Sequence, residues 1–243
     1  MKIVILAGGY GTRLSSIVRD RPKPMALIHG KPFLEYQIEF LKSQGFSDFV
    51  ICVGYKHEKI TEHFRNGKNH SVQIQYSIEK EHLGTGGAIK NALSLLEEQF
   101  IVINGDSIAN LQYDHLIEFH NKKNANVTMV FAKVDNNSRY GSVVTDGNDM
   151  ITSFSEKIPN SGTSFVNMGI YLFNKNSINW QMFSSHFSLE NDLFPALVSQ
   201  KTMFGFKFDG YFVDIGIPED FIRSEQNVSS LDWLYKKDFN MHS

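Results

Sequence analysis

Lys2–Leu14 reads KIVILAGGYGTRL, and Arg21–Pro24 follows closely as RPKP. The apolar run predicts a strand. Its end in Gly8, Gly9 and Gly11 leaves main-chain N–H groups uncovered by side chains, which is what a polyphosphate needs in order to approach the backbone. Two familiar glycine loops are excluded by spacing. A P-loop requires four residues between its first glycine and a Gly-Lys-Ser/Thr, and the chain contains no such string. The dinucleotide fingerprint G-x-G-x-x-G fails because Gly9-Tyr10-Gly11 runs on into Thr12, Arg13 and Leu14.

Beyond this opening, short β-branched runs recur: DFVICV, VQIQYS, FIVIN and NVTMVFA each predict a strand. Helices are predicted between them over residues 32–44, 88–96 and 113–121. In the first, Pro32 stands at the start, Phe33, Leu34, Ile38 and Leu41 make an apolar stripe, and Gly45 ends it. Strands alternating with helices predict an α/β fold with a largely parallel sheet covered on both faces. The second half has shorter strands (GSVV, ITSFS, FVNMGIYLF, TMFGFKFD) and fewer long helices, as expected of a substrate-binding part sharing the same sheet. FGFKF reads as a half-buried strand, not a base-stacking platform.

The chain has 243 residues, 42% hydrophobic and 21% charged, ordinary for one globular domain with a sizeable core. A net charge of −2 gives no field to attract nucleic acid or an anionic membrane, so an anionic ligand must meet locally placed cations. The single cysteine, Cys52, excludes an internal disulfide and a cysteine-cluster zinc site, and within FVICV it reads as a core residue. MKIVILAGG has too short an apolar run for an export signal, and no stretch reaches the length of a membrane span; a cytoplasmic protein is the expectation. Composition sets no oligomeric state and allows a homo-oligomer.

GGYGTRL and PKP are joined, in order, by LGTGGA (83–88), NGD (104–106), RYG (139–141), EK (156–157), NMGIY (167–171) and DIGIPED (214–220). With these blocks the chain resembles the sugar-phosphate nucleotidylyltransferases over nearly its whole length. The resemblance implies a Rossmann-like three-layer sandwich with a mostly parallel mixed sheet. Residues 1–110 would mainly bind nucleotide, residues 111–220 mainly sugar phosphate, and 221–243 would form a C-terminal helix and tail, too short for the β-helix domain some relatives carry. It implies attack of a sugar 1-phosphate oxygen on the α-phosphorus of a nucleoside triphosphate, with pyrophosphate released. Such a reaction asks for positioning and charge neutralisation and needs no nucleophilic side chain.

On that footing Arg13 and Lys23 are the expected catalytic residues. The forked guanidinium of Arg13 would hold the departing β- and γ-phosphates, and Lys23, in an extended segment between Pro22 and Pro24, would meet the α-phosphate or the incoming sugar phosphate. Out of context both also read as surface cations. Leu6, Ala7, Gly8, Gly9, Gly11, Thr12, Glu79, Gly84, Thr85, Gly87 and Asp106 complete the expected nucleotide site, with Gly84 and Gly87 letting a flat base approach the main chain. Asn104, Gly141, Glu156, Lys157 and Asn167 are the expected sugar-phosphate contacts. Asp106 ends the strand FIVINGD and Asp214 the strand YFVDIG; alone Asp106 also reads as a turn residue and Asp214 as a helix or turn cap, and by resemblance they are the ligands of Mg2+.

Glu79 stands where relatives using uridine or thymidine often have glutamine. A carboxylate can accept both N1–H and the 2-amino group of guanine, which favours GTP over UTP or dTTP. The nine histidines show no metal-ligand spacing such as H-E-x-x-H; His82 borders the expected base pocket, and the others read as surface or packing residues. Ser188, Glu190 and Asp192 are assigned to a helix start before any function. Within the family the chain looks most similar to the D-glycero-α-D-manno-heptose 1-phosphate guanylyltransferases, which supply GDP-heptose for bacterial capsule, S-layer or lipopolysaccharide glycans. Mannose, glucose or amino-sugar 1-phosphates are the alternative substrates. A non-catalytic nucleotide-sugar sensor is the alternative of a different class.

Overall fold

The computed structural model describes residues 1–14, 17–134, 141–155 and 164–226. The chain runs through β1 (Lys2–Ala7), a short hairpin of β2 (Leu27–Ile28) and β3 (Lys31–Pro32), α1 (Phe33–Ser43), β4 (Asp48–Val53), α2 (His57–Phe64) and β5 (Gln73–Ile78). It continues through α3 (Gly84–Ala92), β6 (Gln99–Asn104), β7 (Ser107–Ala109), α4 (Tyr113–Lys123), β8 (Val127–Val134), β9 (Ser142–Thr145) and β10 (Ile151–Ser155). The last elements are β11 (Ser164–Asn174), α5 (Phe194–Ser199), β12 (Met203–Phe208), β13 (Phe212–Asp214) and α6 (Pro218–Gln226).

β1 is apolar at nearly every position because both of its faces are covered. Ile3 and Ile5 enter one core with Phe33, Ile38, Ile60, Phe64 and Leu116 from α1, α2 and α4. Val4 points the other way, into a second core with Ala88 and Ile89 of α3 and Phe194 and Leu197 of α5. Alternation along a doubly buried strand thus builds the three-layer sandwich. Among the described residues the main sheet has nine strands in the order β10-β9-β11-β6-β1-β4-β5, with β8 on the other edge of β11 and β12 beside β8. β6, β1, β4 and β5 are parallel. Only β11 and β10 run against the rest. No helix among the described residues is long and apolar enough to cross a membrane.

The strands lie close to where the sequence puts them, and FGFKF is the alternating half-buried β12. Two helices differ. α2 escapes the sequence because only Ile60 and Phe64 are buried along it, too thin a stripe to register. α3 begins at Gly84, not at Ala88, and ends in a tighter turn at Leu93–Leu95. Glycines oppose a helix start by propensity, yet Gly86 and Gly87 both donate their N–H to Phe187 O (3.1 and 3.2 Å), so tertiary pairing overrides it.

Register brings the parallel strands to a common edge. Leu6 stands between Cys52 and Asn104, and Val53 beside Ile78. The segments after them, with Gly8, Gly54, Glu79 and Asp106, therefore emerge together at the carboxyl ends of the strands, where open α/β sheets bind ligands.

Candidate active site

The glycine turn after β1 is pinned by its far end. Leu14 is buried and donates its N–H to Gly11 O at 3.0 Å, closing a tight turn over Thr12–Leu14 that leaves Arg13 on the cavity side. Lys23 departs from expectation: it opens a tight helical turn, Lys23–Met25, with Met25 N–H on Pro22 O at 2.8 Å. Proline fits the first turn of a helix, and burial of Pro24 and Met25 anchors this one, so the segment is not extended.

Asp106 lies in the turn after β6. Gly105 donates to Leu6 O at 2.9 Å, and the buried amide of Gln37, on α1, donates to both Asn104 O (2.9 Å) and Ser107 O (2.6 Å). The turn is thus clamped from the helix layer. Gln37→Leu should leave two buried carbonyls unpaired, lowering stability by about 2 kcal/mol and slowing turnover, as read by denaturant melts and initial rates. Asp214 arrives on β13, which lies outside the main sheet and pairs with β7 in a two-stranded ribbon. The register Asp214 against Ser107, with Ile215 N–H on Asp106 O at 3.0 Å, sets the two aspartates side by side.

Charge is unevenly matched there. Lys23 Nζ pairs with Asp106, and Gly216 N–H closes onto Asp214 Oδ1. Burial raises the Asp214 carboxyl above its ordinary range, the Asp106 charge raises it further, and Lys23 opposes both. Two carboxylates with one ammonium between them form an all-oxygen donor set with surplus negative charge. This fits a hard divalent cation such as Mg2+.

Beside Lys23, Asp106 and Gly216 lies a cavity of about 310 Å³. It is lined by every residue expected at the nucleotide site (Leu6 to Gly9, Gly11 to Arg13, Lys23, Glu79, Gly84, Thr85 and Asp106) except Gly87, and by His82 as well. A Cβ on Gly87 would run into Ser185 O and Leu83 Cβ, so that glycine lets α3 pack against the 185–187 segment. Glu79 donates its N–H to Val53 O (2.8 Å), accepts from Leu83 N–H at 3.2 Å, and lays its carboxylate where a Cβ on Gly8 would stand. Burial raises its pKa; the Leu83 N–H and His82 act in the opposite sense.

A second cavity of about 200 Å³ adjoins the first and shares Arg13, Lys23, Asn104, Asp106 and Gly216 with it. Gly141 and Asn167 line it, as expected, together with Asp214, Phe154 and Glu190. A register shift in β11 between Asn167 and Tyr171 opens this space. Asn167 Oδ1 accepts from Gly169 N–H at 2.9 Å, and its amide donates to Tyr171 OH at 2.7 Å. Glu156 and Lys157, with Arg139 and Tyr140 of the RYG block, lie outside the described residues.

Glu190 was assigned to a helix start, and Ser188 does cap the Leu189–Leu193 turn. Its carboxylate also accepts from Thr85 Oγ1 (2.7 Å) and Ser188 Oγ (2.8 Å) at the cavity wall, linking the start of α3 to the second cavity. The acidic residue three ahead of Leu193 carried no motif that would have revealed this.

The family model for nucleotidyl transferases matches residues 2–230. The D-glycero-α-D-manno-heptose 1-phosphate guanylyltransferase of Aneurinibacillus thermoaerophilus is 40% identical over 94% of this chain and 98% of its own length. That of Campylobacter jejuni is 40% identical over 91% of this chain and 97% of its own. The crystal structure of HddC from Yersinia pseudotuberculosis complexed with GMP-PN is similar with a TM-score of 0.81 and 38% identity, covering 93% of this chain and 98% of HddC.

Proposed function

The chain belongs to the nucleotidyl transferase family, and from that premise we propose that it transfers the guanylyl group of GTP to D-glycero-α-D-manno-heptose 1-phosphate, giving GDP-heptose and pyrophosphate. The observation that carries this reading is the pair of cavities meeting at Arg13, Lys23 and Asp106. One is flanked by the glycine turn and Glu79; the other is walled by Gly141, Asn167 and Glu190. A sugar phosphate oxygen from the second would attack the α-phosphorus of a nucleotide in the first. The α–β bridging bond then breaks and pyrophosphate leaves.

Arg13 would hold the departing β- and γ-phosphates and Lys23 the α-phosphate, so the reacting anions meet in a fixed geometry. Asp106 and Asp214 would hold Mg2+, which when bound supplies charge neutralisation at the transferring phosphoryl group. Asn104, Gly141 and Asn167 would contact the sugar phosphate, as would Glu156 and Lys157 by their place in the family pattern. The ionised carboxylate of Glu79 would accept both donors of the guanine edge. GTP consumption and release of a soluble nucleotide sugar make a cytoplasmic site of action part of the proposal.

Pyrophosphate release in Mg2+ across GTP, UTP, dTTP, CTP and ATP, each with heptose, mannose and glucose 1-phosphates, tests this. Selective release with GTP and the heptose phosphate is expected, and faster release with another pair would reassign the substrates. Glu79→Gln should lower kcat/KM for GTP by about 10- to 100-fold, the loss of a charge-assisted acceptor, while leaving UTP turnover as it was. Because burial raises the Glu79 pKa, lowering the pH should raise KM for GTP in the parent and not in the variant.

A further inference from the structure

We propose that Glu35, His63 and His70 form a transition-metal site, separate from both cavities and independent of the nucleotidyl transfer reading. The three come from different elements: Glu35 from the first turn of α1, His63 from the last turn of α2, and His70 from the tight turn Lys68–His70 before β5. None lines either cavity of the active site. One ring nitrogen from each histidine and one carboxylate oxygen lie within 4.8 Å of one another. Such a set has no sequence spacing to announce it.

His63 Nε2 is 2.8 Å from Glu35 Oε2. A histidine–carboxylate pair accounts for those two residues and leaves the approach of His70 unexplained. The His63 and His70 ring centroids are 5.9 Å apart, with planes inclined by 32°, and both rings rest on the buried Phe64 at 4.6 and 5.1 Å. The backbone around His70 is held as well: its N–H donates to Gly67 O at 2.9 Å, and its carbonyl accepts from Lys42 Nζ at 3.0 Å, tying the turn to α1. Arg65, Gly67 and Ser71 all take positive φ to make this path. The backbone that carries His70 is thus held before any ion arrives.

Donors around a tetrahedral Zn2+ stand roughly 3.3 to 3.5 Å apart, so small side-chain rotations, with His63 the exposed member and Glu35 and His70 partly buried, would complete the site. Imidazole nitrogen selects Zn2+, Co2+, Ni2+ or Cu2+ over Mg2+, whereas the Asp106 and Asp214 oxygens suit Mg2+, which in excess keeps that site occupied. The ion would bridge α1 to the α2–β5 connection and leave one coordination position for water or another ligand.

Protein without a polyhistidine tag, in excess Mg2+, titrated with Co2+, tests the proposal by visible d–d absorption, with Zn2+ displacing the signal. One equivalent of tight binding is expected, weakened at least tenfold in both His63→Ala and His70→Ala, while Mg2+-dependent pyrophosphate release stays at the parent rate. In the parent, one equivalent of Zn2+ should shift the ring resonances of two histidines together in NMR spectra, a readout that does not depend on the variants folding. Absence of stoichiometric uptake, uptake unaffected by either substitution, or dependence on one histidine alone would overturn the three-ligand site.

Discussion

Asp106→Ala lowers kcat by about a thousandfold while the far-UV spectrum and the thermal midpoint stay near those of the parent. The expected loss follows from the work assigned to this carboxylate, since charge neutralisation at a transferring phosphoryl group contributes several kcal/mol. The fold should tolerate the change because the turn is held by main-chain groups: Gly105 on Leu6 O, Gln37 on Asn104 O and Ser107 O, and Ile215 on Asp106 O. Asp106 also pairs with Lys23, so a slow variant alone does not separate metal binding from lysine positioning. Asp106→Asn does, since its amide oxygen still accepts from Lys23 but carries no charge for a cation. Rates in Asp106→Asn that need far more Mg2+ to saturate support the metal role, and a parent-like rate and Mg2+ dependence would remove it.

What the sequence disclosed here depended on whether chemistry was local. β1, the glycine turn and the residues after β6 are contiguous, and their apolar runs and glycines carry the fold pattern in a few positions. The expectations for Arg13, Glu79, Thr85 and Asp106 accordingly fall on one cavity. Gly87 lies off the cavity lining, and a bare Cα is required equally by a bound base and by a neighbouring carbonyl, here Ser185 O, which sequence does not distinguish. Glu190 was hidden for the converse reason. Its cap chemistry with Ser188 is legible three residues at a time, whereas its bond to Thr85 joins segments 105 residues apart. Gln37 gave no signal at all, since a glutamine on the buried face of an amphipathic helix has meaning only once Asn104 O and Ser107 O stand opposite it. Asp214 was read correctly as a strand end, but the ribbon that sets it beside Ser107 pairs two three-residue strands, too short to predict as partners.

Asp214→Asn should do two opposite things: reduce kcat by about a hundredfold or more and raise the thermal midpoint of the Mg2+-free protein. The Asp214 carboxyl is lifted above its unfolded value by burial first and by Asp106 second, with Lys23 acting against them. A raised carboxyl binds its proton more readily folded than unfolded. In the metal-free parent, stability therefore falls as pH rises from the unfolded value of about 3.9 through the raised folded value. Asparagine removes that ionisation, so the variant should lose this part of the pH slope and gain about 2–4 °C for each kcal/mol of repulsion relieved. Melting curves with chelator across pH 4 to 8 check the sign, and a variant less stable than the parent at neutral pH would show that Asp214 is well matched without a cation. Added Mg2+ should then stabilise the parent and leave Asp214→Asn nearly unmoved, because the negative charge that makes the empty site unfavourable is the same charge that binds the ion. The stability withheld from the metal-free fold and the affinity available for the cation are in this way two measurements of one electrostatic arrangement.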